Sequence, residues 1–197
     1  MVTGIDDMKV KLAKELTVKR YKHSINVMET SAELAGIYGC DVKKAVVAGL
    51  LHDCARELNV KEMLEICENN NIPLDEISKL QPELLHGKVG SYVAEKEYGV
   101  NDSEILNAIS CHTTGKENMN MLEKIIFIAD YIEPGRNFPG VDEIRSLAYE
   151  DIDKAIIASM ENTMIYVIQK GALLHKDMLD ARNFIIMDKR YRSKVLL

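Results

Sequence analysis

The sequence has few cysteines, no long apolar run and no excess of basic residues. Its four cysteines form no Cys-x-x-Cys pair and are too sparse for a disulfide scaffold, which predicts reduced thiols. The apolar runs are too short to span a bilayer, and the first residues lack the basic and apolar regions of a secretion signal. A formal charge of −6 argues against binding to bulk nucleic acid, although it is compatible with a locally basic pocket for a small anion. We therefore expect a cytoplasmic protein that binds neither membranes nor bulk nucleic acid.

Alternating strand patterns, internal repeats and flexible linkers are also missing. Apolar residues instead recur at helical spacing along the whole chain, and capping boxes that begin at Asn59 and Asn101 indicate helix starts. At 197 residues with 47% hydrophobic content, the chain is long enough for one sizeable core. We predict a single all-α domain over residues 1–197, with its core at about 19–185. An N-terminal helix precedes this core, and a final helix near residues 177–189 leads into a short basic tail.

The most informative stretch is the His52-Asp53 pair, which the helical spacing places on a buried helix. Val42, Val46, Gly49 and Asp53 fall on one helix face, so the pair continues an apolar stripe. An uncompensated buried carboxylate is costly, so Asp53 needs a partner, and a metal ion would use His52 as well. A single His-Asp pair that hydrogen-bonds to the backbone is the simpler explanation. The metal hypothesis therefore requires further ligands elsewhere in the chain.

Further residues of ligand type lie on the inward faces or at the ends of other predicted helices. The complete set is His23, His52, Asp53, His86, His112 and Asp130. Gly87 and Gly90 follow His86 so early in its helix that we expect close packing or the close approach of a ligand there. Six nitrogen and oxygen ligands exceed the needs of one four-coordinate zinc and include no thiolate, so two metals that share a carboxylate fit better. Asp53 is the natural bridge.

The order His, His-Asp, His, His, Asp resembles the HD-domain metal-dependent phosphohydrolases. Within them the chain is similar to the YqeK family, the bacterial symmetrical diadenosine tetraphosphate hydrolases, from about Tyr21 to Asn183. The segments that carry this likeness are Arg20–Ser24, Leu51–Arg56, His86-Gly87, His112–Gly115, Ile125–Arg136 and Ala181–Asn183. The block that ends in Glu-Pro-Gly-Arg is much more specific than a lone His-Asp.

The resemblance implies an enzyme that cleaves diadenosine tetraphosphate at its centre into two ADP, through a hydroxide that bridges two metals. By the family pattern, one metal is held by His23, His52, Asp53 and Asp130, and the other by Asp53, His86 and His112. The resemblance implies iron, although manganese, nickel and zinc accept the same ligand types in vitro. A homodimer is compatible with the resemblance, and the sequence does not decide it.

The resemblance also implies roles around the phosphates. The implied catalytic residues are Asp53, Arg56 and Arg136. The implied substrate contacts are Asn26, Arg56, His86, His112, Thr113, Asp130, Arg136, His175 and Arg182. Arg182 has an alternative as the ion-pair partner of Asp177 or Glu161. The chain departs from the family pattern at Lys176 and Met178, where Pro and Thr are expected, next to His175.

Two other functions compete with this one. The nearer is another HD phosphohydrolase that acts on a nucleoside monophosphate or a guanosine alarmone, since it would use the same metal ligands. The farther is a nucleotide sensor without turnover. Loss of a ligand would be typical of such a sensor, and all six ligand positions are filled here.

Overall fold

The computed structural model describes residues 4–195, and the side chains of residues 4–189. Within residues 4–195 the chain forms eleven α-helices and one short 3-10 helix, with no strand, so the predicted all-α class is confirmed. The helices are α1 Ile5–Glu15, α2 Val18–Tyr38, α3 Val42–Leu51, α4 Val60–Asn69, α5 Glu76–Leu80, α6 His86–Tyr98, α7 Ser103–Cys111, α8 Met121–Ile132, α9 Val141–Ala148, α10 Ile152–Gln169 and α11 Lys176–Val195, with the 3-10 helix at Pro82–Leu85.

Side-chain caps fix where many of these helices begin. Asn59 and Asn120 open α4 and α8 with complete capping boxes, in which each asparagine accepts from the N3 backbone and the N3 glutamate accepts from the cap. Asp41 and Asp151 accept from first-turn N–H groups of α3 and α10. The cap of α7 is Asp102, one residue later than the sequence pattern predicted.

Five helices form the centre of the molecule, with α2 packed on α3 and α8, and α7 packed on α3, α6 and α8. The helix α8 is the most enclosed, because Ile125, Ile126 and Ile128 are fully buried along it. The helices α9 and α10 pack against α8, and α10 also packs against α11. The six ligand candidates therefore sit on elements that meet at the centre, because their helices share one apolar core.

Two expectations about the His-Asp region were wrong. The helix α3 ends at Leu51, so His52 and Asp53 lie in the series of turns that follows it. Val42 is 43% exposed, and the buried face of α3 is formed by Ala45, Ala48 and the residues from 49 to 51. A stripe read at helical spacing cannot locate a site that lies beyond the end of the helix.

The end of the chain also differs from the sequence prediction. The helix α11 continues to Val195, beyond the expected end near Lys189, and the side chains of the basic tail lie outside the described residues. The extent of the domain over the whole chain stays a prediction. Between residues 4 and 195, no helix is both long enough and apolar enough to cross a bilayer.

Candidate metal centre

The six ligand candidates converge from five helices and the turns that directly follow them. His23 lies on α2, His52 and Asp53 follow α3, and Asp130 lies on α8. His86 opens α6, and His112 follows the last residue of α7. Five of these residues are buried, with exposures from 0% for His52 to 8% for His23, and the Asp130 side chain is 24% exposed.

Asp53 lies at the centre, and each of its two oxygens faces a different pair of histidines. Its Oδ2 is 3.6 Å from Nε2 of His23 and 3.4 Å from Nε2 of His52. Its Oδ1 is 3.3 Å from Nε2 of His86 and 3.8 Å from Nε2 of His112. Asp130 adds an oxygen 2.9 Å from Nε2 of His23. Two groups of ligand atoms thus lie side by side and share one carboxylate.

Each histidine uses its Nδ1 to hold the ring in place. His52 donates to the Gly49 carbonyl at 2.8 Å and His112 to the Ile109 carbonyl at 2.7 Å. His86 donates to the Glu83 carbonyl at 2.5 Å, and His23 donates to the Glu133 carboxylate at 3.1 Å. The proton of each neutral ring is therefore on Nδ1, which leaves the lone pair of Nε2 directed toward the centre.

This arrangement brings lone pairs into contact and so fits a bound cation. Nε2 of His23 and Nε2 of His52 are 3.2 Å apart, and those of His86 and His112 are 3.0 Å apart. A second proton between either pair of Nε2 atoms would make one ring a buried imidazolium, because the Nδ1 of that ring is already protonated and donates a hydrogen bond. A divalent metal between the nitrogens uses both lone pairs, and a hydrogen bond at Nδ1 is the usual support of a metal-bound histidine. The residues present therefore fit metal ions.

The charges around the centre follow from burial and from the neighbours. Burial, together with the nearby His86 and His52, lowers the pKa of His112 to about 3. Burial alone would raise the pKa of Asp53, but His52 and His86 hold it well below its usual value. Burial also opposes ionisation of Asp130, yet its contact with His23 and its proximity to His52 lower its pKa. Burial would lower the pKa of His52, but the Asp53 carboxylate raises it. Two carboxylates thus stay ionised in the core.

Two residues that touch the centre were not singled out from the sequence. Arg20 donates from Nη1 to Asp53 Oδ2 at 2.7 Å. Glu133 is 3% exposed, and besides His23 it accepts from Asn26 Nδ2 at 2.6 Å and from the Gly135 amide at 2.5 Å. A glutamate just before a Pro-Gly turn, three residues after a candidate ligand, is the signal that would have identified Glu133.

The predicted phosphate-binding residues lie around this centre. Arg136 donates to Asp130, with 2.8 Å to the backbone carbonyl and 2.5 Å to Oδ1. Arg56 lies on the other side, with Nη1 at 3.0 Å from Nδ1 of His86 and at 3.2 Å from the Glu83 carbonyl. Thr113 Oγ1 is 3.4 Å from Nε2 of both His86 and His112. These side chains lie beside the candidate ligands, and their roles at the phosphates stay predictions.

The two glycines beside His86 allow close packing, as the sequence predicted. A Cβ on Gly87 would lie 2.9 Å from the Ser110 carbonyl oxygen and 3.0 Å from Thr113 Oγ1. A Cβ on Gly90 would lie 3.4 Å from the carbonyl oxygen of His52. The start of α6 therefore lies directly against the end of α7, which brings His86 and His112 together.

The remaining candidates are engaged with other protein groups. Arg182 donates to Glu161 through Nε at 2.9 Å, which is one of the partners that the sequence had offered. His175 contacts Asp75 at 3.2 Å through Nε2 and accepts from the Asp177 amide at Nδ1. Met178 is buried and the Lys176 side chain is 75% exposed. Nucleotide contacts by His175 and Arg182 stay predictions.

The chain is similar in sequence to one known family and to named bacterial proteins. The sequence model of the HD domain matches residues 20–135, more than half of the chain. A protein of Bacillus subtilis (strain 168) is 42% identical over 173 residues, which cover 88% of this chain and 92% of that protein. A protein of Staphylococcus aureus (strain NCTC 8325 / PS 47) is 44% identical over 177 residues, which cover 88% and 91%. Both are named symmetrical bis(5'-nucleosyl)-tetraphosphatase.

A solved structure shows the same likeness in three dimensions. The crystal structure of a protein from Clostridium acetobutylicum, described as a predicted HD superfamily hydrolase involved in NAD metabolism, is 48% identical. It superimposes with a TM-score of 0.93 over 95% of this chain and 100% of that one. The similarity in fold therefore extends over nearly the whole chain.

Proposed function

The chain belongs to the HD-domain family, and on that premise we propose that it is a hydrolase that cuts diadenosine tetraphosphate at its centre into two ADP. One observation carries the proposal: the two oxygens of Asp53 face two separate pairs of imidazole nitrogens. This is how a carboxylate that bridges two metals is arranged. The substrate comes from the names of relatives that are 42% and 44% identical over about nine-tenths of both chains.

The reaction adds one water across the central anhydride. One ADP receives the hydroxyl group, the other departs with the former bridging oxygen, and one proton is released. Two divalent metals, when bound, supply Lewis acidity toward the phosphoryl oxygens and lower the pKa of water at the site. We assign one metal to His23, His52, Asp53 and Asp130, and the other to Asp53, His86 and His112.

The protein contributes charge and orientation around the reacting phosphorus. Arg136 lies against Asp130 on one side and Arg56 against His86 on the other, so a guanidinium flanks each half of the centre. Phosphoryl transfer depends mainly on positioning and on stabilisation of charge on the equatorial oxygens. We propose that Arg136 and Arg56 supply this stabilisation, and that Thr113 orients a phosphoryl oxygen through its hydroxyl.

The native metal in this proposal is iron. The site offers nitrogen and oxygen donors, which suit iron, manganese, nickel and zinc alike. Cys54 lies next to Asp53 but is not a ligand, because its thiol donates to the Gly90 carbonyl and burial raises its pKa. Metal analysis of protein purified without oxygen identifies the metal. A content of about two irons per chain would support the di-iron centre, and a single metal of any kind would contradict it.

Two lesser parts of the proposal have their own support. We place the reaction in the cytoplasm because the four cysteines are free thiols.

We propose a homodimer because Ile165, Ile168 and Leu173 are 54%, 65% and 45% exposed near the end of α10. Sedimentation of the purified protein tests the dimer, and a monomer at micromolar concentration would contradict it.

Product analysis is the experiment that tests the function. The purified protein is incubated with diadenosine tetraphosphate, with and without added iron under reducing conditions. We expect two ADP, and neither AMP nor ATP, only when metal is present. ATP plus AMP would mean cleavage off the centre and would contradict the proposal. Parallel reactions with a nucleoside monophosphate and a guanosine alarmone test the nearest alternative substrates.

A further inference from the structure

The substrate proposed above has two equal halves, and most of its predicted contacts lie on one side of the metal centre. Arg56 and Thr113 contact His86 and His112, and Ala181 on α11 lies near Gly115, just after Thr113. Cleavage at the central anhydride requires that one ADP half extend to each side of Asp53. One ADP half must therefore bind on the side of His23, where few substrate contacts are predicted.

A groove of about 540 Å³ opens on that side, next to His23. Its volume lies within the usual range for small-molecule sites. The residues that define this groove in the argument below are Lys19, Arg20, Lys22, Glu133, Arg136 and Phe138. Two of them reach the centre directly, since Arg20 donates to Asp53 and Glu133 holds His23. The groove is therefore continuous with the metal centre.

The groove contains unpaired cations although the whole chain is acidic. Lys19, Arg20, Lys22 and Arg136 line it together with Glu57 and Glu133. Of these four cations, Arg20 and Arg136 are paired with Asp53 and Asp130, while the chain carries a net charge of −6. Glu133 is already occupied by His23, Asn26 and the Gly135 amide. Among the described side chains, no carboxylate oxygen lies within 4.0 Å of the amino group of Lys19 or Lys22. Unpaired cations beside a metal centre suit the phosphates of a nucleotide.

The groove also contains an aromatic ring. Phe138 lines the groove and is partly exposed, and its ring packs edge-to-face against Tyr131 with 5.1 Å between ring centroids. That contact fixes the orientation of the ring. A fixed and accessible aromatic ring offers a stacking surface for a base.

We propose that this groove binds the second ADP half of the substrate. Arg20 and Lys22 contact its phosphates, and Phe138 stacks on its base. The inference depends on the proposed function, and it explains how one chain recognises both ends of a symmetrical dinucleotide. It makes Phe138 a specificity-determining residue for the second nucleoside.

The test compares two substrates that differ only in this nucleoside. Diadenosine tetraphosphate has it, while adenosine 5′-tetraphosphate has the same four phosphates and can place its single adenosine in the other half. We expect Phe138→Ala to lower kcat/KM for diadenosine tetraphosphate on the order of ten-fold and to leave adenosine tetraphosphate unchanged. Lys22→Ala removes a phosphate contact, so it should lower kcat/KM for both substrates by about five-fold.

Matched variants separate this effect from general damage. Tyr166 is an aromatic residue that is 60% exposed on α10, and Lys61 is an exposed lysine on α4. Tyr166→Ala and Lys61→Ala should leave both substrates unchanged. Equal losses on both substrates for Phe138→Ala, or no loss, would overturn the inference while wild-type turnover still supports the proposed function. A wild-type protein that cleaves neither substrate would overturn the proposed function and this inference together.

Discussion

Three of the four histidines at the centre are held by their own local backbone, and the fourth is held by a side chain from a distant part of the sequence. His52, His86 and His112 each donate to the carbonyl three residues earlier, at the end of a helix or 3-10 helix. His23 lies inside α2, where the carbonyls are already paired, and donates to Glu133, 110 residues away.

This difference has a physical reason. The last carbonyls of a helix lack a partner within the helix, and an imidazole three residues later can satisfy one of them. The ring is then oriented by the chain that carries it. A histidine within a helix has no such free carbonyl, so an acceptor must come from elsewhere in the fold. His23 is therefore correctly oriented only when α2 and the turn after α8 are docked.

The largest effect is expected at Asp53, where the locally held and the distantly held histidines meet. Asp53→Asn keeps the volume but removes the carboxylate charge that both pairs face. We expect nearly complete loss of bound metal and a fall in activity on the order of 10³-fold or more. Metal analysis and turnover measure this, with the exposed Asp6→Asn on α1 as the control. Full metal content in Asp53→Asn would contradict the shared carboxylate.

The next largest effect is expected at Arg136, which lies in the same turn as Glu133. Its substitution separates charge stabilisation from metal binding. Arg136 contacts Asp130 but offers no ligand atom. Arg136→Ala should lower kcat by about 10²-fold to 10³-fold and leave the metal content unchanged. Arg136→Lys keeps the charge without the planar fork and should recover part of the rate. A loss of metal in Arg136→Ala would show that this arginine acts through the ligands instead.

The direct test of the distant support is Glu133→Gln. The amide group would present a donor to the three donors from His23, Asn26 and Gly135 that now face a carboxylate. We expect metal affinity to fall by about ten-fold to 100-fold, measured by competition with a chelator. Glu68→Gln, on the exposed part of α4, should have no effect. If Glu133→Gln bound metal normally, the distinction between local and distant support would not hold.

The smallest effect is expected at Gly87, where close packing of α6 and α7 brings His86 and His112 together. Gly87→Ala places a Cβ 2.9 Å from the Ser110 carbonyl, so α6 and α7 must separate slightly. We expect the free energy of unfolding of the metal-free protein to fall by about 1–3 kcal/mol. Gly36→Ala, in α2, has open space at its Cβ and should raise it by about 0.5–1 kcal/mol. Urea denaturation measures both, and equal effects in the two variants would contradict close packing at Gly87.

Much of the fold could be predicted from local sequence signals. The caps at Asp41, Asn59 and Asp151 act over a few residues, so local sequence marks where α3, α4 and α10 begin. The cap of α7 and the end of α11 were misplaced because neighbouring residues offer competing caps or no stop signal. The prediction that His52 and Asp53 lie on α3 was wrong because helical spacing continues in the sequence after the helix has ended.

The sequence by itself determined the class of the fold and the identity of the six ligand candidates. Only the tertiary structure decided which oxygen of Asp53 faces which pair, that Arg20 reaches this carboxylate from α2, and that Glu133 holds His23. These contacts join residues 33 and 110 positions apart. They exist because α2, α3, α6, α7 and α8 share one core, and packing of that core is a property of the whole chain that no local pattern records.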